Sequence, residues 1–155
     1  MTAIKHAPYV KHFLATDISE NMINFGKIRV AEKKITNVSF KCSAAADLNI
    51  AAESKDVVLA LSFLHLLEDP DSVIKDIHQI LKPGGIFVSS TICLGDYSSI
   101  IKYILPVGYI LGFLPSIKLF KNIELEERIK NLGFTIEVVL QPTKKNALFL
   151  IAKKI

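Results

Sequence analysis

The chain has no tryptophan, only two cysteines and seven glycines in 155 residues, and no G-x-G-x-x-G run anywhere. Cys42 and Cys93 stand alone, without the paired spacing of a zinc or redox motif, so no metal site is expected. Both fall in apolar runs, where a thiol acts as a small buried hydrophobe. Two unpaired thiols suit a reducing compartment, and the expected location is cytoplasmic. Charge of one sign is also not concentrated. The net charge is +4, but Lys33-Lys34, Lys144-Lys145 and Lys153-Lys154 are only pairs placed at element ends. A basic stripe interleaved with aromatics is missing, so nucleic acid is not expected as a partner. The first ten residues lack the pattern of a secretory signal. The longest apolar stretch, 98–117, is interrupted in charge only by Lys102 and has about the length of a membrane span, roughly 20 residues. Pro106, Gly108, Gly112 and Pro115 break it, and soluble-type elements flank it. A lid or insertion is the expected reading, with no transmembrane span.

Half of the residues are apolar and 22% are charged. That balance and length predict one globular domain over 1–155 with a real core. His12 to Thr16 is a short apolar run that ends in Asp17. Ser19 is a natural N-cap for a helix from Glu20 to about Lys33, with Met22, Phe25 and Ile28 as its expected inner face. Val38 to Cys42 alternates like a strand. Asp56 to Leu61 is continuously apolar after its first residue, which suits a parallel strand buried on both faces. Asp69 or Asp71 starts the next helix, whose stripe runs Val73, Ile74, Ile77, Ile80 and Leu81. Lys82-Pro83-Gly84-Gly85 ends it, because proline cannot continue a helix and glycine supplies positive φ. Ile86 to Ile92 is the next strand. After the apolar segment, Asn122 is expected to cap a helix lined by Leu125, Ile129 and Leu132 and ended by Gly133. Phe134 to Leu140 and Ala147 to Ala152 read as strands. The six residues between them cannot hold a crossover helix, so these two form an antiparallel hairpin. The order is β-α-β-β-α-β-insertion-α-β-β, an α/β fold with a mainly parallel sheet.

In such sheets nucleotide-type ligands bind at the carboxyl ends of the strands. Asp17 stands at one such end. Its carboxylate can accept hydrogen bonds from both hydroxyls of a ribose, or it can serve only as a turn or cap residue. Three runs favour the ribose role by their company. They are Ala15-Thr16-Asp17-Ile18-Ser19-Glu20-Asn21-Met22-Ile23; Asp56-Val57-Val58 with Ser62-Phe63-Leu64-His65-Leu66-Leu67; and Ile80-Leu81-Lys82-Pro83-Gly84-Gly85-Ile86-Phe87. Together with Asn131-Leu132-Gly133-Phe134 before the final hairpin, they resemble the class I S-adenosylmethionine-dependent methyltransferases. The resemblance runs from about His12 to the C-terminus. It is nearest to the broad group that includes the quinone-biosynthesis methyltransferases.

The resemblance implies a three-layer, Rossmann-like methyltransferase sandwich with S-adenosylmethionine as cofactor. Asp17 would hold the ribose and Ile18 would pack on the adenine. In the loop Ser43-Ala44-Ala45-Ala46-Asp47, the acidic residue of relatives is replaced by Ala44 or shifted to Asp47, while the backbone contact at Ala45 survives. Leu61 and Ser62 would lie near the methionine part and the transferable methyl. No catalytic residue is assigned. His65 could be a general base or a structural histidine, and His78 reads as structural. The insertion, about 97–120 with Tyr103, Leu105, Tyr109, Leu111, Phe113 and Leu114, would wall an apolar pocket or merely cover the sheet. The expected partner is therefore a small, apolar or aromatic acceptor.

One part of the family pattern has no counterpart. In dinucleotide folds the acidic residue follows the glycine loop by about 20 residues. Asp17 has sixteen residues ahead of it, none of them glycine. The first strand and its glycine turn are thus expected to be missing, with weak or absent cofactor binding. Two inner strand edges would be left unpaired and open to a partner chain or a second copy. A non-catalytic interaction module is the alternative reading. A nicotinamide-dependent enzyme is a further one, which leaves Lys82-Pro83-Gly84-Gly85 without explanation.

Overall fold

The computed structural model describes residues 2–93, 95, 120–143 and 146–155. The expected insertion, including Tyr103, Leu105, Tyr109, Leu111, Phe113 and Leu114, lies outside the described residues apart from Phe120, as does the Lys144-Lys145 pair. The chain divides into two compact units, Met1–Asn49 and Ile50–Ile155.

The first unit opens with α1 (Thr2–His6) and a 3-10 turn, Ala7–Tyr9, which carries Pro8 where a missing N–H costs nothing. Then follow β1 (Phe13–Asp17), α2 (Glu20–Glu32) and β2 (Val38–Cys42). The two strands pair in parallel, from Phe13 opposite Val38 to Asp17 opposite Cys42. The Asn37 amide donates to the Ala7 and Val10 carbonyls, both at 2.8 Å, and so ties the N-terminal turn to the start of β2. Ser19 caps α2 as expected, its Oγ accepting the Met22 N–H at 3.4 Å.

The inner face of α2 differs from the expectation. Ile23, Gly26 and Val30 are buried, whereas Met22, Phe25 and Ile28 are each more than half exposed. Gly26 explains the difference. A Cβ there would stand 2.6 Å from Cε1 of Phe40, so the bare backbone is what lets this ring of β2 lie against the helix. A glycine adds nothing to an apolar stripe, and the periodicity therefore pointed to the wrong side. Cys42 also departs from its expected burial: it is exposed, while Cys93 is buried.

The second unit contains β3 (Lys55–Leu61), α3 (Pro70–Ile80), β4 (Leu81–Thr91), α4 (Asn122–Asn131), β5 (Phe134–Leu140) and β6 (Leu148–Lys154). Its sheet runs β3-β4-β6-β5. β3 and β4 are parallel, and β6 pairs antiparallel with both β4 and β5, so the C-terminal hairpin is as expected. Asp69 is the cap of α3, its Oδ1 accepting the Ser72 N–H at 3.1 Å, and Val73, Ile74 and Ile77 are buried. The helix stops at Ile80. Pairing then jumps from Lys55–Leu81 to Val57–Ile86, so that Lys82–Gly85 bulge out of the ladder. Gly84 takes φ +73, and a Cβ on Gly85 would meet the Lys82 carbonyl oxygen at 2.8 Å. The expected turn chemistry is therefore present, inside the beginning of β4.

Two further expectations are corrected. Lys121, not Asn122, holds the cap position of α4, and Asn122 is its first helical residue, bonding to the Gln141 side chain. β3 is not buried on both faces. It ends the sheet, and Asp56, Val57 and Leu61 are exposed. A continuous apolar run is buried on both faces only where a layer covers each face, and here the face of Val57 and Leu61 stays partly open while Ala60 on the other is buried. The core of this unit is formed by Leu64, Ile74, Leu81, Phe87, Leu125, Ile129, Phe134, Leu148 and Leu150, all fully buried. The His78 ring meets Phe134 edge-on at 5.1 Å, which supports its structural reading.

Candidate functional site

In the first unit, the parallel pairing of β1 and β2 places their carboxyl ends side by side. The ladder continues one step beyond the strands, with the Ser43 N–H donating to the Asp17 carbonyl at 3.0 Å. The Cys42 thiol lies 3.5 Å from the Ile18 carbonyl. These contacts bring Asp17 and Ile18 next to the loop Ser43–Asp47. The Asp17 carboxylate is half-buried and accepts the Ser19 N–H through Oδ1 at 2.9 Å. This bond holds the carboxylate at the entrance of α2, where the helix dipole also favours a negative charge. No described residue takes its second oxygen. Ile18 is 77% exposed, an apolar side chain held in water at the end of a strand.

The opposing loop is a backbone device. Ala44 is extended, with φ −65 and ψ 155, and precedes a 3-10 turn over Ala45–Asp47 that is closed by the Asp47 N–H on the Ala44 carbonyl at 3.1 Å. The Lys41 ammonium secures the loop's far side through the Leu48 carbonyl at 2.6 Å. Asp47 itself is exposed. Asp17 and Ile18 thus stand beside the Ala44–Ala45 backbone, which brings a carboxylate and an exposed apolar side chain together with main-chain polar groups. Such a set suits a polar, planar ligand such as a nucleoside.

In the second unit, Leu61 and Ser62 follow at the carboxyl end of β3. Ser62 has φ +53, uncommon for a residue with a Cβ, and its N–H donates to the Ser90 carbonyl at 2.7 Å. The chain turns sharply there into the 3-10 turn Leu64–Leu66. His65 is only 7% exposed, and its Nδ1 is buried without a hydrogen-bond partner among the described residues. Burial lowers its pKa from the ordinary histidine value, disfavouring the charged form.

The same unit has a polar cleft of about 220 Å³ that sequence reasoning did not find. It is lined by Glu68, Asp69, Asp71, Phe120, Glu124 and Arg128, among others. Arg128 bridges Asp71 at 2.7 Å and Glu124 at 2.9 Å, and these bonds raise its pKa. The Glu124–Arg128 spacing of four was visible in the sequence. Asp71, far away in the chain, gave no such signal. Among the described residues no group of three or more histidine, cysteine or acidic side chains is placed to hold a metal. Among them, too, no helix is long and apolar enough to cross a membrane.

In α/β sheets ligands bind at the carboxyl ends of the strands, and the Asp17 carboxylate and the alanine loop lie at such ends. The comparisons give the chain's family. The profile described as "Methyltransferase domain" matches residues 2–89, and the chain belongs to that family. It is 28% identical over 102 residues to a ubiquinone biosynthesis O-methyltransferase of Parvibaculum lavamentivorans, covering 66% of this chain and 40% of the relative. The chain spans about two fifths of the length of the first curated relatives it matches. Two solved structures share the fold. One is a SAM-dependent methyltransferase of Methanosarcina mazei, with TM-score 0.79 and 17% identity, covering 99% of this chain and 86% of that one. The other is an S-adenosylmethionine-dependent methyltransferase of Mesorhizobium loti, with TM-score 0.76 and 19% identity, covering 99% and 85%. The fold is therefore that of the Rossmann-like methyltransferases.

Proposed function

We propose that this chain carries the adenosine-holding part of an S-adenosylmethionine-dependent methyltransferase acting on a small, apolar or aromatic acceptor. The observation that carries the reading is the patch at the ends of β1 and β2. Asp17 is oriented by the Ser19 N–H and keeps an oxygen for the ribose hydroxyls. Ile18 offers its exposed side chain to the adenine face, and the Ala44–Ala45 backbone offers polar groups to its edge. Leu61 and Ser62, at the end of β3, are assigned to the methionine portion. When bound, the cofactor supplies a sulfonium methyl group for in-line displacement by the acceptor. The protein's share is to position and desolvate, which needs no catalytic side chain.

The nature of the acceptor is supported by the apolar content of residues 97–120 and by the small-molecule pathway in the relatives' names. A cytoplasmic location is proposed from the absence of paired cysteine spacing in the sequence. We read 1–155 as part of one methyltransferase domain. A second reading is a chain-binding module without catalysis, for which β3 has only β4 as a strand neighbour among the described residues.

The test is an amide NMR titration of the chain with S-adenosylhomocysteine. Saturable shifts at Asp17–Ser19 and Ser43–Asp47 support the proposal. Shifts confined elsewhere, or none at millimolar ligand, refute it.

A further inference from the structure

The connection from β3 to α3, residues 62–69, is short and strained at its start. Ser62 holds φ +53 although it carries a Cβ. A residue kept in that region persists only where its surroundings over-determine it. One end of the connection is fixed by the Ser62 N–H on the Ser90 carbonyl of β4. Its middle is fixed by Leu64, fully buried in the 3-10 turn. The other end runs into the first turn of α3, which carries Asp71.

Arg128 holds that end. Its Nη1 donates to Asp71 Oδ2 at 2.7 Å, while Asp71 Oδ1 is buried without a hydrogen-bond partner among the described residues. Arg128 reaches across from the second turn of α4, where Glu124 in the first turn accepts its Nη2 at 2.9 Å. The guanidinium also lies 5.9 Å from the centre of the Phe120 ring. Phe120 is buried, and its carbonyl accepts the Gly95 N–H at 2.8 Å. A Cβ on Gly95 would stand 2.6 Å from that oxygen, so this close approach requires glycine. Arg128 therefore joins the start of α3, the start of α4 and the chain beyond β4 at one point. Without it the half-buried Asp71 carboxylate would be uncompensated. It would turn out to water and take the start of α3 with it.

We propose that Arg128 is a positioning residue for the methionine side of the site. It acts through Asp71 and the connection 62–69, which set the turn at Leu61–Ser62, and not by contact with the ligand. The inference rests on the assignment of Leu61 and Ser62 to the methionine portion. Glu124 has the lesser part, because its i,i+4 pair holds Arg128 to its own helix and reaches no other element. A part-exposed ion pair can favour the competent turn only by its own modest strength, so its loss is expected to weaken the ligand about fivefold.

The test compares S-adenosylhomocysteine with adenosine, which lacks the amino-acid portion, by amide NMR titration of the intact chain. In the native chain S-adenosylhomocysteine is expected to bind more tightly and to shift the Leu61 and Ser62 amides. Arg128→Gln is expected to weaken S-adenosylhomocysteine by about fivefold and leave adenosine unchanged. It is also expected to move the Ser62–Leu66 amides of the free chain. Asp71→Ala is expected to do the same, and the double variant to lose no more than either single change. Glu124→Gln is expected to lose less. Equal weakening of both ligands, as a general loss of folded chain would give, overturns the proposal. So do unchanged binding in Arg128→Gln, unmoved Ser62–Leu66 amides, or a native chain that binds both ligands alike. A native chain that binds neither ligand refutes the adenosine-holding reading itself and this proposal with it. Every other failure leaves adenosine binding in place and refutes only the role of Arg128.

Discussion

Replacing Asp17 by asparagine and by alanine separates its two roles. Asparagine keeps an acceptor for the Ser19 N–H, now 2.9 Å from Oδ1, and loses only the charge. The lost interaction with the α2 dipole costs about 0.3–1 kcal/mol of stability. Alanine also leaves that half-buried N–H without its partner, which adds about 1 kcal/mol. The ligand responds differently. A hydrogen bond from a ribose hydroxyl to a carboxylate contributes about 1.5–3 kcal/mol, so either variant is expected to weaken S-adenosylhomocysteine by about 10- to 150-fold. Urea unfolding measures the first effect, and NMR titration at several temperatures measures the second. An Asp17→Asn chain that binds as tightly as the native one would refute the assignment of this carboxylate to the ribose. An Asp17→Ala chain as stable as the native one would refute its part in holding the entrance of α2.

Three further outcomes concern the second unit. Ile129 is fully buried, so Ile129→Ala is expected to cost about 2–5 kcal/mol in urea unfolding. Gly133 has φ +90, and a Cβ there would lie 2.7 Å from Nε2 of His78. Gly133→Ala is therefore expected to lose about 1–3 kcal/mol and to shift the His78 ring resonances; unchanged resonances would contradict the contact. The pKa of His65 is lowered by burial, and that of His78 by burial and then by the Lys154 charge, against a raising bond from the Gly133 backbone. Above about pH 6.5 both histidines are neutral, folded or unfolded. Below it the unfolded chain takes up protons that the folded chain refuses, so stability falls as the pH drops from about 7 toward 5.5. A stability that is flat or rising over that drop would show that neither histidine is held neutral by the fold.

Much of the element order was legible because its signals are local. Ser19 and Asp69 cap their helices, and Gly133 closes another with a positive φ. The short connection at Gln141–Asn146 required an antiparallel hairpin, and β5 and β6 form one. The faces were less legible. The buried side of α2 is set by the Phe40 ring lying against Gly26, a long-range contact that apolar periodicity cannot register. β3 reads as an inner strand by composition, yet only β4 pairs with it among the described residues. At the candidate site, Asp17 was visible from its place at a strand end before a capped helix. The Ser43 step that brings the alanine loop alongside depends on the β1–β2 register. The bridge from Arg128 to Asp71 lay beyond reach for the same reason, since it joins two helices far apart in sequence.

The central claim is that the patch around Asp17 holds an adenosyl ligand, and a thermal melt with and without S-adenosylhomocysteine tests it most directly. A ligand that binds only the folded chain at ten times its Kd adds about 1.4 kcal/mol of stability. The account predicts a melting temperature that rises with ligand concentration in the native chain and rises much less in Asp17→Asn. A melting temperature that does not move in the native chain, or that moves equally in both, would contradict it.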